Sequence, residues 1–269
     1  MWTGVLLGTV GAISTENWPQ IWIVIEVNLI SFLPLITIKW RAKKVGMIYF
    51  IVQSIGSQGI LCGGVLSDTS TLISKWVPIR ILLKSRLAPL HFWGASLIPK
   101  LRALTAFVFL TWQKIVPLFL FLITTSKFFI NAILFINLLV STRCRLGTKN
   151  IYVLIFFSSL IQIGWVISAP LGCACLYFML YAMSSGPIYF DNLTTNMPIL
   201  ILNMAGLPPI TGFIIKLKVL QLISMRLGIL LLAFSTLLLF VYIRSFILSK
   251  KNGSLRLRTI AVCCLGWVF

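Results

Sequence analysis

Runs of about 20 apolar residues recur almost without interruption along this chain of 269 residues. A helix of that length crosses the hydrocarbon core of a bilayer. Inside lipid the backbone has no water to bind, so a spanning segment must satisfy its hydrogen bonds internally, as a helix does. The runs are continuous and do not alternate apolar with polar residues, which favours helices over barrel strands. The sequence therefore predicts an all-α, polytopic transmembrane helical bundle.

Charged residues and clusters of proline, glycine and asparagine separate the runs. We expect about eleven spans, nine of them clearly long enough to cross, in a single domain over residues 1–269. The first and last runs are short, and an apolar run of about 10–14 residues can lie at the interface instead. The expected spans are 2–13, 18–38, 46–65, 79–98, 102–124, 127–142, 150–169, 170–190, 197–223, 227–248 and 259–269.

Basic residues dominate the charge, with 23 Lys and Arg against four acids and a formal net charge of +19. Most of them lie in short loops, where anionic lipid headgroups such as those of cardiolipin are the expected partners and nucleic acid is not. Loops on one side of the predicted topology carry fourteen Lys and Arg, and loops on the other side carry four. The positive-inside rule therefore orients the fourteen-charge side towards the cytoplasm-equivalent compartment.

The six cysteines show no metal or redox spacing, and those in apolar runs act as small hydrophobic residues. We therefore expect no zinc or iron–sulfur site within this chain. No charged leader precedes the first apolar residues, so no cleaved targeting segment is expected. The cysteines are Cys62, Cys144, Cys173, Cys175, Cys263 and Cys264.

Four charged residues lie inside predicted spans: Glu26, Lys84, Lys114 and Lys216. A lysine at the centre of a bilayer costs roughly 2.5–3.5 kcal/mol on insertion scales, so such residues usually have a function. Proton movement is the function that these groups favour. They are the candidate site residues.

Glu26 lies near the middle of the second span. An ionised carboxylate at that depth needs a counter-charge, and the buried lysines are the available ones. The alternative is a protonated glutamic acid that bonds to a backbone carbonyl.

Lys84 precedes Pro89, which removes a backbone donor and loosens the helix around it. His91 follows seven residues after Lys84, two turns along one helical face, so both can line one polar path. His91 is thus a candidate relay, although a core histidine is an equally good interpretation. Arg86 is two residues from Lys84 and is expected to point elsewhere, towards the interface or a neighbouring chain.

Lys114 is also followed within one turn by a proline, Pro117. It lies about ten residues from either end of its span, which disfavours snorkelling to the interface. Burial favours the neutral form of a lysine, so Lys114 can hold or release a proton.

Lys216 follows a segment with two prolines and two glycines, Gly206-Leu-Pro-Pro-Ile-Thr-Gly212. This composition predicts a broken helix around 206–212. Unwound backbone at membrane depth is tolerated where it is buried in protein or lines a wet cavity. Other polar residues of the spans, such as Gln162, are expected to form hydrogen bonds between helices.

Several blocks together resemble the chain 2 family of mitochondrial NADH–ubiquinone oxidoreductase (complex I). They are Ala-Pro-Leu-His-Phe-Trp at 88–93, Thr-Trp-Gln-Lys at 111–114 and Gly-Leu-Pro-Pro-Ile-Thr-Gly-Phe at 206–213, with similar blocks at 22–28, 158–165 and 241–244. The blocks occur in order over residues 22–244. After the first block this chain has Gly94-Ala-Ser96, where the family usually has a proline and a glutamate.

The resemblance implies an antiporter-like subunit of the membrane arm, in the inner mitochondrial membrane, with the fourteen-charge side facing the matrix. It implies a proton-translocation channel coupled to electron transfer from NADH to ubiquinone. Glu26 and Lys84 would be a charge pair, Lys114 the central lysine and Lys216 the lysine of the broken helix. NAD, FMN, iron–sulfur clusters and ubiquinone would bind partner subunits, with no cofactor in this chain, and neighbouring antiporter-like subunits would be partners.

Two other interpretations remain open. The chain could be a free-standing cation/proton antiporter. It could also be a structural scaffold whose lysines bind cardiolipin, although that role does not explain four charges at mid-span.

Overall fold

The computed structural model of the protein describes residues 1–37, 43–66, 76–148, 150–190, 203–206 and 211–250. Within these ranges the regular structure is helical and there is no strand, which confirms the predicted all-α class. The helices are α1 (Trp2–Ser14), α2 (Trp18–Thr37), α3 (Lys43–Val65), α4 (Trp76–Ser85), α5 (Phe92–Leu97), a 3₁₀ turn (Ile98–Lys100), α6 (Ala103–Leu110), α7 (Trp112–Thr124), α8 (Lys127–Leu146), α9 (Ile151–Ser168), α10 (Leu171–Phe190), α11 (Thr211–Leu222) and α12 (Met225–Lys250).

Five stretches of the described chain are long and apolar enough to cross a membrane: Trp18–Thr37, Lys43–Val65, Ala103–Thr124, Lys127–Leu146 and Met225–Tyr242. Shorter apolar helices are Trp2–Ser14, Tyr152–Ser168 and Leu171–Gly186. The predicted span 259–269 and much of the span 197–223 lie outside the described residues. The structure therefore describes only some of the eleven predicted spans, and the total number stays a prediction.

The predicted span 79–98 is two helices and not one. α4 ends at Ser85 and α5 begins at Phe92. Arg86 leaves the helical conformation with a φ of +60°, and Pro89 has no amide hydrogen for the carbonyl of Ser85, so the helix does not continue through this segment.

The span 102–124 also has a break. α6 ends at Leu110, and Thr111 (φ −107°, ψ −76°) separates it from α7. Pro117 lies inside α7, where it leaves the carbonyl of Gln113 without an amide partner, and α7 continues past it to Thr124. Each of these two breaks lies beside an intramembrane lysine.

The predicted break around 206–212 is described at its two sides. Residues 203–205 are helical, Gly206 has a φ of +79°, and α11 begins at Thr211. A positive φ is readily adopted by glycine and rarely by other residues, which accounts for glycine at the end of this helical turn.

Two compact units divide the chain, Met1–Ile136 and Asn137–Phe269. In the first unit α2 packs on α1 and α3, and α4 packs on α3 and α7. In the second unit α9 packs on α10, α11 and α12. Small residues permit the close approach of α1 to α2, since a Cβ at Gly8 would lie 2.8 Å from Asn28 Cβ. That the chain is one domain stays a prediction.

Candidate functional site

Glu26 lies on α2 at the contact with α3 and is half-buried. The hydroxyl of Ser57, on α3, donates a hydrogen bond to Glu26 Oε1. Ser57 is fully buried, so this donor is held inside the unit at the contact between α2 and α3.

Lys84 is 3% exposed and lies in the last turn of α4. Its stem crosses Gly56 of α3, and Gln53 Nε2 donates to the Lys84 backbone carbonyl at 3.4 Å. The Glu26 carboxylate exerts an electrostatic attraction on the Lys84 ammonium. The structure therefore brings the predicted pair, Glu26 and Lys84, into one charged cluster.

His91 lies in the break between α4 and α5 and is fully buried. Its Nδ1 is 3.2 Å from the Pro89 carbonyl oxygen, to which a protonated Nδ1 donates. Lys84 and His91 do not share one helical face, as predicted from the sequence, because the helix ends at Ser85. A relay role for His91 stays a prediction.

Arg86, which sequence reasoning directed to the interface or to a neighbouring chain, is fully buried. It has a φ of +60° at the break, and its guanidinium lies over the Phe109 ring, 3.8 Å from the centroid, and 5.9 Å from that of Trp93. Such a cation–π contact stabilises by about 2 kcal/mol when desolvated. The position of Arg86 near the middle of the predicted span 79–98 could have indicated that its side chain is buried.

Lys114 has no exposed surface and lies in the first turn of α7, just after the break at Thr111. Its amide donates to the Thr111 carbonyl at 3.0 Å. The snorkelling alternative for Lys114 is therefore excluded by its position. The Arg86 charge acts repulsively on the Lys114 ammonium, which joins Lys114 to the same cluster.

A cavity of about 20 Å³ adjoins this cluster, with Lys84, Asn28, Gln53 and Gln113 among its lining residues. Gln113 Nε2 donates to Asn28 Oδ1 at 3.0 Å and links α7 to α2. A cavity of this volume with several polar groups has room for one water molecule. The arrangement places proton-carrying side chains beside a site that water fits.

Lys216, in the second unit, is 5% exposed. Its Nζ donates to the carbonyls of Met204 at 3.0 Å and Ala205 at 2.7 Å, and it lies 5.5 Å from the Trp165 ring centroid. Carbonyls at the end of a helical turn lack intrahelical partners and carry partial negative charge. The helix that ends at Gly206 therefore supplies the groups that bind the Lys216 ammonium.

A second set of polar side chains shares those carbonyls. Gln162 Nε2 donates to the Met204 carbonyl at 2.7 Å, and the Tyr177 hydroxyl donates to Gln162 Oε1. Gln162, Tyr177 and Lys216 also line a cavity of about 20 Å³. The sequence analysis assigned Gln162 to hydrogen bonds between helices, and Tyr177 was missed because the first part of α10, in which it lies, is an apolar run with no charged residue.

Asn203 lies in the same helical turn as Met204 and links it to the other side of the break. Its Oδ1 accepts a hydrogen bond of 2.9 Å from the Gly212 amide near the start of α11. This bond satisfies one of the free amides of the helix N-terminus. Within the described ranges no group of three or more His, Cys, Asp and Glu has the arrangement of a metal site.

Comparison with known proteins identifies the family. No family model matches the sequence. Curated relatives named NADH-ubiquinone oxidoreductase chain 2 include that of Lycodon semicarinatus, which is 30% identical over 94% of this chain and 86% of its own length. The chain 2 of Anopheles gambiae is 29% identical over 80% of this chain and 74% of its own.

Solved structures share the fold. A chain of respiratory complex I from Thermus thermophilus superposes with a TM-score of 0.78 at 17% identity and covers 89% of this chain and 67% of its own. A chain of the Mrp complex from Dietzia sp. DQ12-45-1b superposes with a TM-score of 0.77 at 14% identity and covers 90% of this chain and 58% of its own. At these identities the likeness shows the fold alone, and it confirms the antiporter-like architecture.

The resemblance seen in the sequence blocks and the similarity to curated relatives over most of both chains agree. This chain belongs to the NADH–ubiquinone oxidoreductase chain 2 family.

Proposed function

We propose that this chain is a membrane-arm subunit of respiratory complex I and contributes a proton-translocation channel coupled to electron transfer from NADH to ubiquinone. Family membership supports the place in complex I. The burial of Lys84, Lys114 and Lys216 supports the channel and is the observation that carries it. Lysines inside a membrane protein, away from the interface, are found on ion and proton pathways.

The proposed mechanism is electrostatic. A change of charge at a neighbouring subunit alters the attraction between Glu26 and Lys84, which changes the affinity of Lys114 for a proton. Moving one charge against about 150 mV requires roughly 3.5 kcal/mol. An ion pair that closes to about 4 Å at an effective dielectric constant near 20 supplies roughly 4 kcal/mol, so the two energies are comparable. His91 is proposed as a relay at the same break, and Lys216 as the proton carrier of the second unit.

The remaining assignments follow from this place in the complex. The chain lies in the inner mitochondrial membrane, and its Lys- and Arg-rich loops face the matrix, as the positive-inside rule predicts. Its partners are the neighbouring antiporter-like subunits and phospholipids such as cardiolipin. NAD, FMN, iron–sulfur clusters and ubiquinone bind partner subunits, and this chain holds no redox centre.

A free-standing cation/proton antiporter is the alternative function. The likeness to a chain of the Mrp complex shows the fold alone at 14% identity, so it does not favour that function. A native gel of the source membranes, stained for NADH dehydrogenase activity and probed for this chain, separates the two. Migration with that activity in one large particle is expected, and migration apart from it would support the antiporter.

Lysine substitutions test the channel. Lys114→Met and Lys216→Met are each expected to lower proton pumping per electron about tenfold or more, since the proton carrier is removed while apolar volume is kept. Complex I with each variant would be purified and reconstituted in liposomes. Lys218→Met is the matched control, because Lys218 is exposed two residues beyond Lys216 on α11. Full pumping by Lys114→Met in an assembled complex would contradict the proposal.

A further inference from the structure

The Lys216 ammonium has three N–H donors, and the described residues accept hydrogen bonds from two of them. The acceptors are the carbonyls of Met204 at 3.0 Å and Ala205 at 2.7 Å. The Trp165 ring, whose centroid is 5.5 Å from Nζ, attracts positive charge through its face. Backbone carbonyls and an indole ring are too weakly basic to take a proton. These contacts therefore hold Lys216 in place and do not deprotonate it.

A proton that leaves Lys216 needs a base within reach. The described part of the second unit contains no Asp, Glu or His. Lys216 lines the cavity of about 20 Å³ that Gln162, Tyr177 and Ser184 also line. A volume of about 10–15 Å³ is enough for one water molecule where the walls offer two to four polar partners. The cavity therefore has room for a water molecule beside Lys216.

The Met204 carbonyl fixes the directions of the hydrogen bonds around this cavity. Because a carbonyl can only accept, Gln162 directs Nε2 to it at 2.7 Å, and the Tyr177 hydroxyl donates to Gln162 Oε1. The Ser184 hydroxyl donates to the carbonyl three residues earlier at 3.0 Å. Both hydroxyl hydrogens are thus used, and both oxygens keep lone pairs that accept. This arrangement suits a water molecule that accepts a hydrogen bond from the ammonium and donates two to the hydroxyl oxygens.

We infer that this cavity is a water-binding site for proton exchange, in which Tyr177 and Ser184 hold the water that takes a proton from Lys216. The inference rests on the proposed function of Lys216. In the transfer the third N–H bond breaks and its electron pair stays on Nζ, while a new O–H bond turns the water into hydronium. The hydroxyl oxygens stabilise hydronium by accepting its hydrogen bonds.

The neutral amine that remains on Lys216 keeps two N–H groups. These groups still donate to the carbonyls of Met204 and Ala205, so Lys216 stays at the cavity and can take a proton back. Tyr177 and Ser184 are therefore positioning residues for the water, and the two carbonyls position the amine.

Ser184→Ala tests the site in complex I that is purified and reconstituted in liposomes. Loss of one acceptor is expected to lower proton pumping per electron about fivefold, normalised to assembled complex. Ser184→Thr restores a hydroxyl and is expected to return pumping to within about twofold of wild type. A packing role for Ser184 does not predict this recovery, since threonine adds a methyl group.

Ser185→Ala is the matched control. It removes a hydroxyl from the next residue of α10, which donates to the Ala182 carbonyl at 3.1 Å and does not line the cavity. Ser185→Ala is expected to pump as the wild type does. Equal pumping by Ser184→Ala and Ser185→Ala, or no gain in Ser184→Thr over Ser184→Ala, would overturn the inference.

Tyr177→Phe combined with Ser184→Ala shows whether the two hydroxyls act on one water molecule. Substitutions that act through a shared group do not combine independently, so the double variant is expected to pump within about twofold of the poorer single variant. A loss equal to the product of the two single losses would count against a shared water and overturn the inference.

Ser184→Cys takes the place of Ser184→Ala if the alanine variant does not assemble, since a thiol is a weak acceptor of similar size. The same loss is expected, and wild-type pumping would contradict the inference. Lys216→Met in this assay separates the inference from the proposed function. If Lys216→Met pumps fully, the proposed function of Lys216 fails. If it does not pump while Ser184→Ala pumps as the wild type does, the inference alone fails.

Discussion

The aliphatic stem of Lys84 passes directly across the bare backbone of Gly56. A Cβ added at Gly56 would lie 2.8 Å from Lys84 Cγ and 3.3 Å from Cε. α3 and α4 therefore lie so close together that position 56 of α3 has room for the hydrogen atom of a glycine and not for a Cβ. The position of this buried ammonium depends on the packing of α3 as well as on its own helix.

Gly56→Ala is expected to displace Lys84. The nearest atom is Cγ, close to the backbone, so the side chain cannot yield by moving its far end, and overpacking of this kind typically costs about 1–3 kcal/mol. Pumping per electron in reconstituted complex is expected to fall several-fold. Gly172→Ala is the matched control, since a Cβ there meets nothing within 4 Å. Equal pumping by the two variants would disprove this role of Gly56.

Gly206→Ala is expected to disturb Lys216 in the second unit. Its φ of +79° costs an alanine about 1–2 kcal/mol, and the new Cβ would lie 2.6 Å from Lys216 Cδ. A reduction of pumping by about tenfold is expected, with a lower melting temperature of the solubilised complex. Gly147→Ala is the control, because its nearest neighbour would be 3.9 Å away. Wild-type pumping in Gly206→Ala would show that this contact is not needed.

Ser57→Ala removes the donor to Glu26. A hydrogen bond to a charged group contributes about 1.5–3 kcal/mol, so the carboxylate loses stabilisation and its influence on Lys84 weakens. Proton pumping per electron is expected to fall by about fivefold or more. The control is Ser54→Ala, in which the lost hydroxyl bonds to the Ile51 carbonyl of the same helix at 3.0 Å. Identical results for the two serines would remove Ser57 from the mechanism.

Tyr177→Phe tests the polar set around Gln162. It removes one hydroxyl, whose hydrogen bond to Gln162 contributes about 1 kcal/mol, and it frees Gln162 to shift from the carbonyl that it shares with Lys216. A loss of pumping of about fivefold is the expected result in the reconstituted complex. Tyr152→Phe is the control, at a side chain that is 47% exposed. If both variants pump alike, Tyr177 is a packing residue.

Proline chemistry explains which breaks in the helices were predictable. The break around 206–212 was expected from two prolines and two glycines in one segment. Pro89 was recognised as loosening its helix, yet the six residues that separate α4 from α5 were not expected. The prediction that Lys84 and His91 share one helical face was wrong for this reason. Residues seven apart lie on one face only while the helix continues between them. The break at Thr111 was missed, because the proline that follows it, Pro117, lies six residues later and inside α7.

Burial of the lysines was predictable, and their partners were not. Hydropathy places Lys84, Lys114 and Lys216 inside apolar runs, and all three are buried. The Met204 and Ala205 carbonyls that bind Lys216 carry no signal in a sequence, because every residue has a carbonyl and its availability depends on where a helix ends.

Hydropathy, charge spacing and a few motifs were enough to predict the helical class, the membrane, the family and the four charged candidates, because the bilayer requires long apolar helices and penalises each charge that is kept within them. The contacts of Arg86, in contrast, could be identified only from the tertiary structure. Its guanidinium lies on Phe109, a residue 23 positions away, through a turn with φ of +60°. That contact depends on how separate helices pack against each other. The spacing of residues along one helix does not predict this packing.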